Sequence, residues 1–155
     1  MNPLKVILAS GSPRRRQFLQ ALGLPHVVRT AEIDETPRGE ESAPELAQRL
    51  AREKALAVAQ RTPEEERPVV VIGADTVVAL GDTVLGKPAA PEEAVEMLRD
   101  LRQEPHVVHS AIALVRMEPG GAYHIESRLN STRVLMRDYT DQEIARYVAT
   151  GDPLD

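Results

Sequence analysis

The chain has 155 residues, 42% hydrophobic and 28% charged, with a net charge of −5, the size and balance of one globular domain with its own core. Lacking cysteine and tryptophan, with 3% aromatic residues in all, it excludes a disulfide framework, a thiolate metal site and a base-stacking platform for single-stranded nucleic acid. The negative charge argues against coating a duplex, so no nucleic acid is expected as a partner. Its longest near-apolar run, Val69 to Leu80, contains Asp75 and falls short of the ~20 residues of a membrane span, so no membrane is expected either. With no signal-like start, the expected compartment is a reducing cytoplasm.

In chain order, Leu4 to Ala9 reads as a buried strand. Ser10-Gly11-Ser12-Pro13 then turns into a helix, with Ser12 as N-cap, Pro13 at the first helical position, Phe18, Leu19 and Leu22 as an apolar face and Gly23 as the stop. His26 to Thr30 is a second candidate strand, and Glu32 to Glu41 an acidic loop. Ser42 and Glu45 have capping-box spacing, and Leu46, Ala47, Leu50, Ala51, Ala55 and Val58 follow at helical spacing. Thr62 to Pro68 is a polar connection.

Val69 to Ile72 has the β-branched composition of a central strand, which Gly73 to Thr76 interrupts before Val77 to Leu80 resumes it. Gly81-Asp82 is a hairpin turn to Thr83–Leu85, and Glu92 to Arg102 a helix with Ala94, Met97, Leu98 and Leu101 inward. Val107 to Val115, Tyr123 to Arg128 and Thr132 to Met136 predict three strands of a meander, and Thr140 with Glu143 opens a last capped helix that Gly151 ends. Interspersed strands and helices, without a repeat or linker, imply one α/β domain built on a mixed sheet.

Three places carry candidate chemistry. A strand running through Ser10 to Ser12 into a helix start aims several N–H groups at one point, where the helix dipole favours an anion, and Arg14, Arg15 and Arg16 add positive charge. The same residues also describe a capped surface helix with solvated arginines, and both readings stand. Asp75 lies inside an apolar run, where a buried carboxylate needs a partner or a metal; a solvated turn over Gly73 to Thr76 is the other reading. Glu35, Lys54 and Lys87 are single charges, and each taken alone reads better as solvated surface charge than as part of a site. His106 and His109, three apart on one strand, face opposite sides and make no metal pair.

Together, Ser10-Gly11-Ser12-Pro13-Arg14-Arg15, Arg49 to Ala55, Gly73-Ala74-Asp75-Thr76-Val77-Val78, Gly86-Lys87-Pro88 and Tyr147 to Asp155 resemble the Maf family of nucleoside triphosphate pyrophosphatases, in the family's order and over nearly the whole chain. The resemblance implies an α/β fold with an elongated mixed β-sheet flanked by helices, two lobes and a central cleft, similar to inosine triphosphate pyrophosphatases. It also implies a cytoplasmic homodimer that requires a divalent metal cation, Mg²⁺ or Mn²⁺. Asp75 then accepts a proton from water; Ser10, Arg14, Arg15, Lys54 and Lys87 hold the triphosphate; Glu35 joins Asp75 at the metal; Arg14 and Thr76 match base-selecting positions. Gly-Ala-Asp-Thr is similar to the branch acting on dTTP and UTP, whereas Gly-Ser-Asp-Gln marks the branch acting on 7-methyl-GTP. The implied activity is hydrolysis of dTTP or UTP to the monophosphate and pyrophosphate. The alternatives are a pyrophosphatase for another modified nucleotide and a nucleotide-binding regulator of septum formation. Ser110-Ala111 stands where the family commonly has Thr-Gly or Thr-Ala. Family members continue past Pro153-Leu154-Asp155, so the expectation is a domain lacking its C-terminal segment and a base-selecting Gln within it.

Overall fold

The computed structural model describes residues 3–154, so the final Asp155 of the last motif lies outside the described residues. In chain order the elements are β1 (Lys5–Leu8), α1 (Pro13–Ala21), β2 (Val27–Val28), α2 (Ala43–Arg61), β3 (Val69–Leu80), β4 (Thr83–Leu85), α3 (Pro91–Gln103), β5 (His106–Met117), β6 (Tyr123–Val134) and α4 (Asp141–Ala149). The strands form one six-stranded sheet of order β2-β1-β3-β5-β6, with β4 pairing β3 off this path. It is mixed as expected, with β1 parallel to β2 and β3, and β4 antiparallel to β3. Two compact units divide the chain, one of Met1–Thr76 with Ser110–Asn130, the other of Val77–His109 with Ser131–Asp155.

In the first unit the parallel register pairs Lys5 with Val69 and Leu8 with Ile72. Ile7, Leu8, Val69 and Val71 are fully or almost fully buried there. The helix α2 keeps its expected stripe, with Leu46, Ala47, Leu50, Ala51, Ala55 and Val58 all buried, and the Ser42–Glu45 capping box is present in both directions. By contrast α1 buries none of its residues: Phe18 is 61% exposed and the following Leu22 78%. In the second unit β4 returns on β3 through the Gly81-Asp82 turn, with Leu80 opposite Thr83. There α3 and α4 pack around Ala94, Ile144 and Val148, and Tyr139 donates its hydroxyl hydrogen to the Leu98 carbonyl.

Two segments differ from the sequence expectation. The run Val69–Leu80 is one continuous strand, with no turn at Gly73 to Thr76. Gly73 stays extended because the backbone of α2 lies against it: a Cβ there would sit 2.3 Å from the Ala51 carbonyl oxygen. Likewise Tyr123–Val134 is a single strand rather than two. The expected break fell at Leu129 to Ser131, but main-chain pairing to β5 is indifferent to side-chain polarity where one face stays exposed.

Candidate active site

The register of β1 on β3 builds the site. The pairing runs to Leu8 and Ile72, Ala9 still donates to the Ile72 carbonyl at 2.8 Å, and Arg15 then bonds both Ser10 Oγ and the Ala74 carbonyl. Sixty residues of sequence separation thereby become one strand spacing. Ser10 is 8% exposed; its Oγ accepts from the Ser12 N–H and from Arg15 Nη1, both at 3.2 Å. Ser12 caps α1 by accepting from the Arg15 N–H, as expected.

Along β3 the side chains alternate. Gly73 and Asp75 lie on the buried face, whereas Thr76 is exposed. On the buried face the missing Cβ of Gly73 admits Ala51 and Ala55, which brings α2 close enough for Lys54 to reach Asp75. The Lys54 ammonium lies 2.7 Å from Asp75 Oδ1 and 2.9 Å from Glu35 Oε1, so both carboxylates converge on one cation. The side chains of Lys54 and Asp75 are 17% and 12% exposed. Asp75 is thus a buried, paired carboxylate, which removes the solvated-turn reading. Burial draws the Lys54 pKa down, but the hydrogen bonds and charges of Asp75 and Glu35 outweigh it and hold it above the ordinary lysine value.

Arg15 works on the other side of the strand. It donates to the Ala74 carbonyl at 3.1 Å and to Thr76 Oγ1 at 3.4 Å, besides Ser10. Its guanidinium therefore braces the residues flanking Asp75. A cavity of about 280 Å³ lies among Ser10, Ser12, Arg15, Glu35 and Lys54. A second, more apolar pocket of about 380 Å³ adjoins Arg15 and Thr76, walled by Leu8, Phe18, Ile72 and Ala111.

Of the expected site residues, Ser10, Arg15, Glu35, Lys54, Asp75 and Thr76 are joined by these contacts. Arg14 is exposed on α1 and makes none of them; Lys87 is exposed in the second unit, in the turn after β4. Sequence reasoning passed over Arg49. It is 15% exposed, bonds Glu41 at 2.6 Å and Glu53 at 3.1 Å, and donates to the Thr36 carbonyl at 3.0 Å. These bonds tie the acidic loop, and Glu35 within it, to α2. The Arg49–Glu53 spacing of i,i+4 was the available signal.

The donor set fits a hard divalent ion, because Asp75 and Glu35 present carboxylate oxygens already gathered around a cation. No group of three or more His, Cys, Asp or Glu side chains that could hold a metal occurs among the described residues. A cation held by these two carboxylates would need its remaining ligands from water or a bound anion.

Comparison with known proteins adds the following. The family model described as Maf-like protein matches residues 5–155. A dTTP/UTP pyrophosphatase of Pelotomaculum thermopropionicum is 43% identical over 97% of this chain and 75% of its own length. One of Hahella chejuensis is 40% identical over 97% of this chain and 72% of its own. A solved structure described as a HAM1 protein from Coxiella burnetii overlaps 85% of this chain and 73% of its own, with a TM-score of 0.48 and 18% identity.

Proposed function

The chain belongs to the Maf-like protein family, and from that premise we propose that it hydrolyses dTTP or UTP to the monophosphate and pyrophosphate. The observation that carries the reading is Asp75, a buried carboxylate in mid-strand, facing Lys54 beside a cavity lined by the Ser10 loop.

In the proposed reaction Ser10, the N–H groups at the start of α1 and Lys54 take the phosphate oxygens. Arg15 fixes the loop against β3 and adds its positive charge to the cavity the anion enters. The apolar pocket beside Thr76 receives the base. Asp75 takes a proton from the attacking water, whose oxygen bonds to the α-phosphorus as the bond to the bridging oxygen breaks and pyrophosphate leaves with that oxygen. Mg²⁺ or Mn²⁺, held by Asp75 and Glu35, would offset phosphate charge when bound. Arg14, exposed on α1, is a further phosphate ligand in this reading. A homodimer is favoured by the apolar side chains left exposed at Phe18, Leu22 and Val28, and a cytoplasmic setting by the cysteine-free composition.

A panel of nucleoside triphosphates including dTTP, UTP and 7-methyl-GTP, followed by pyrophosphate detection, tests the reading. Release from dTTP or UTP well above the others is expected. Preference for 7-methyl-GTP would move the chain to the other branch, and no release from any triphosphate would refute the activity.

A further inference from the structure

We propose that Lys54 is a counter-ion gate: in the free protein its ammonium occupies the place between Asp75 and Glu35 that a divalent cation needs, so the metal binds tightly only once a triphosphate has drawn Lys54 away. The gate rests on the pyrophosphatase reading above and concerns the order of events at that same site.

The geometry around Lys54 carries it. Both carboxylates hold the same nitrogen, at 2.7 and 2.9 Å, so a metal bound by both must displace it. An ammonium and a divalent ion cannot share that space, because like charges a few ångströms apart in a partly desolvated site repel strongly. Lys54 is only 17% exposed, so it leaves its partners readily only for another anion. The cavity that Lys54 lines with Ser10 and Ser12 is where such an anion enters. Arg15 is already committed to Ser10, Ala74 and Thr76, which leaves Lys54 as the cation free to change partners. Glu35, with its side chain 58% exposed, can follow either cation.

Metal and triphosphate are then coupled through one side chain as well as through direct metal–phosphate bonds. Linkage makes the coupling reciprocal: the triphosphate strengthens metal binding as much as the metal strengthens triphosphate binding. Direct metal–phosphate bonding alone gives no reason for Lys54 to affect metal binding in the absence of nucleotide. That difference makes the gate testable without turnover.

The test titrates Mn²⁺ alone into nucleotide-free protein, following free Mn²⁺ by electron paramagnetic resonance. Lys54→Met, which keeps an unbranched stem and removes the ammonium, is expected to bind Mn²⁺ about tenfold tighter than wild type. Glu35→Gln in the Lys54→Met background is expected to remove most of that gain. Lys54→Gln, a polar replacement, provides the same comparison should the methionine variant fail to fold, and Mn²⁺ should raise its melting temperature more than that of wild type. Mn²⁺ affinity no tighter than wild type in the folded variant overturns the gate, whatever the activity. Tighter Mn²⁺ binding beside a wild type that releases no pyrophosphate upholds the gate and refutes the pyrophosphatase reading instead.

Discussion

A Cβ at position 73 would lie 2.3 Å from the Ala51 carbonyl oxygen and 2.8 Å from the Ala55 Cβ. Two opposed effects follow from Gly73→Ala. Alanine restricts the unfolded chain and gains about 0.4–1 kcal/mol where the native geometry accepts it. Here the obstacle is helix backbone, so β3 or α2 must shift, at a cost of about 1–3 kcal/mol. The steric effect wins, and Gly73→Ala should lower the urea midpoint with an unchanged slope. A midpoint equal to or above that of wild type would show that α2 does not need this contact. The sequence made Gly73 look like a break in a strand; the space it leaves for Ala51 and Ala55 is a property of the partner helix, which no local window contains.

Among the elements, β3 shows how partners decide secondary structure. Asp75 and Thr76 weaken the strand pattern, yet the strand continues because each polar side chain has a partner, Lys54 for one and Arg15 for the other. The helix starts were more legible, since Ser12, Ser42 and Thr140 act within three or four residues of themselves. A charge cluster outside the site also links β1 and β2 to their surroundings. Glu66 accepts from Lys5 at 2.5 Å and from Arg29 at 2.8 Å, tying the start of β1 and the end of β2 to the turn before β3. Those hydrogen bonds, from Lys5 and then Arg29, hold the Glu66 carboxyl below the ordinary glutamate value. A depressed folded-state pKa stabilises above the unfolded value and is lost as pH falls through the folded one. The stability difference between wild type and Glu66→Gln should therefore be steady near neutrality. It should close as pH drops through and below the usual glutamate range, in denaturation curves at low salt. A difference that persists into strong acid would assign the effect of Glu66 to packing.

Across the whole molecule, the family was legible because its motifs lie in order along nearly the full chain. The assembly of the site was less so. The contacts among Ser10, Arg15, Glu35, Lys54, Asp75 and Thr76 all fall in the first unit, and the parallel register of β1 on β3 joins residues about sixty positions apart. Hydrophobic runs predict strands without saying which pair or in which register, so the Ser10 loop and Asp75 had to be linked by family likeness before geometry linked them. The account turns on Asp75 as the group that takes the proton. The direct measurement is turnover of dTTP or UTP by Asp75→Asn, with nucleotide affinity measured in parallel. Loss of a general base predicts a fall in kcat of about 10²–10⁴-fold with affinity changed only a few fold. Turnover near the wild-type rate would contradict the account.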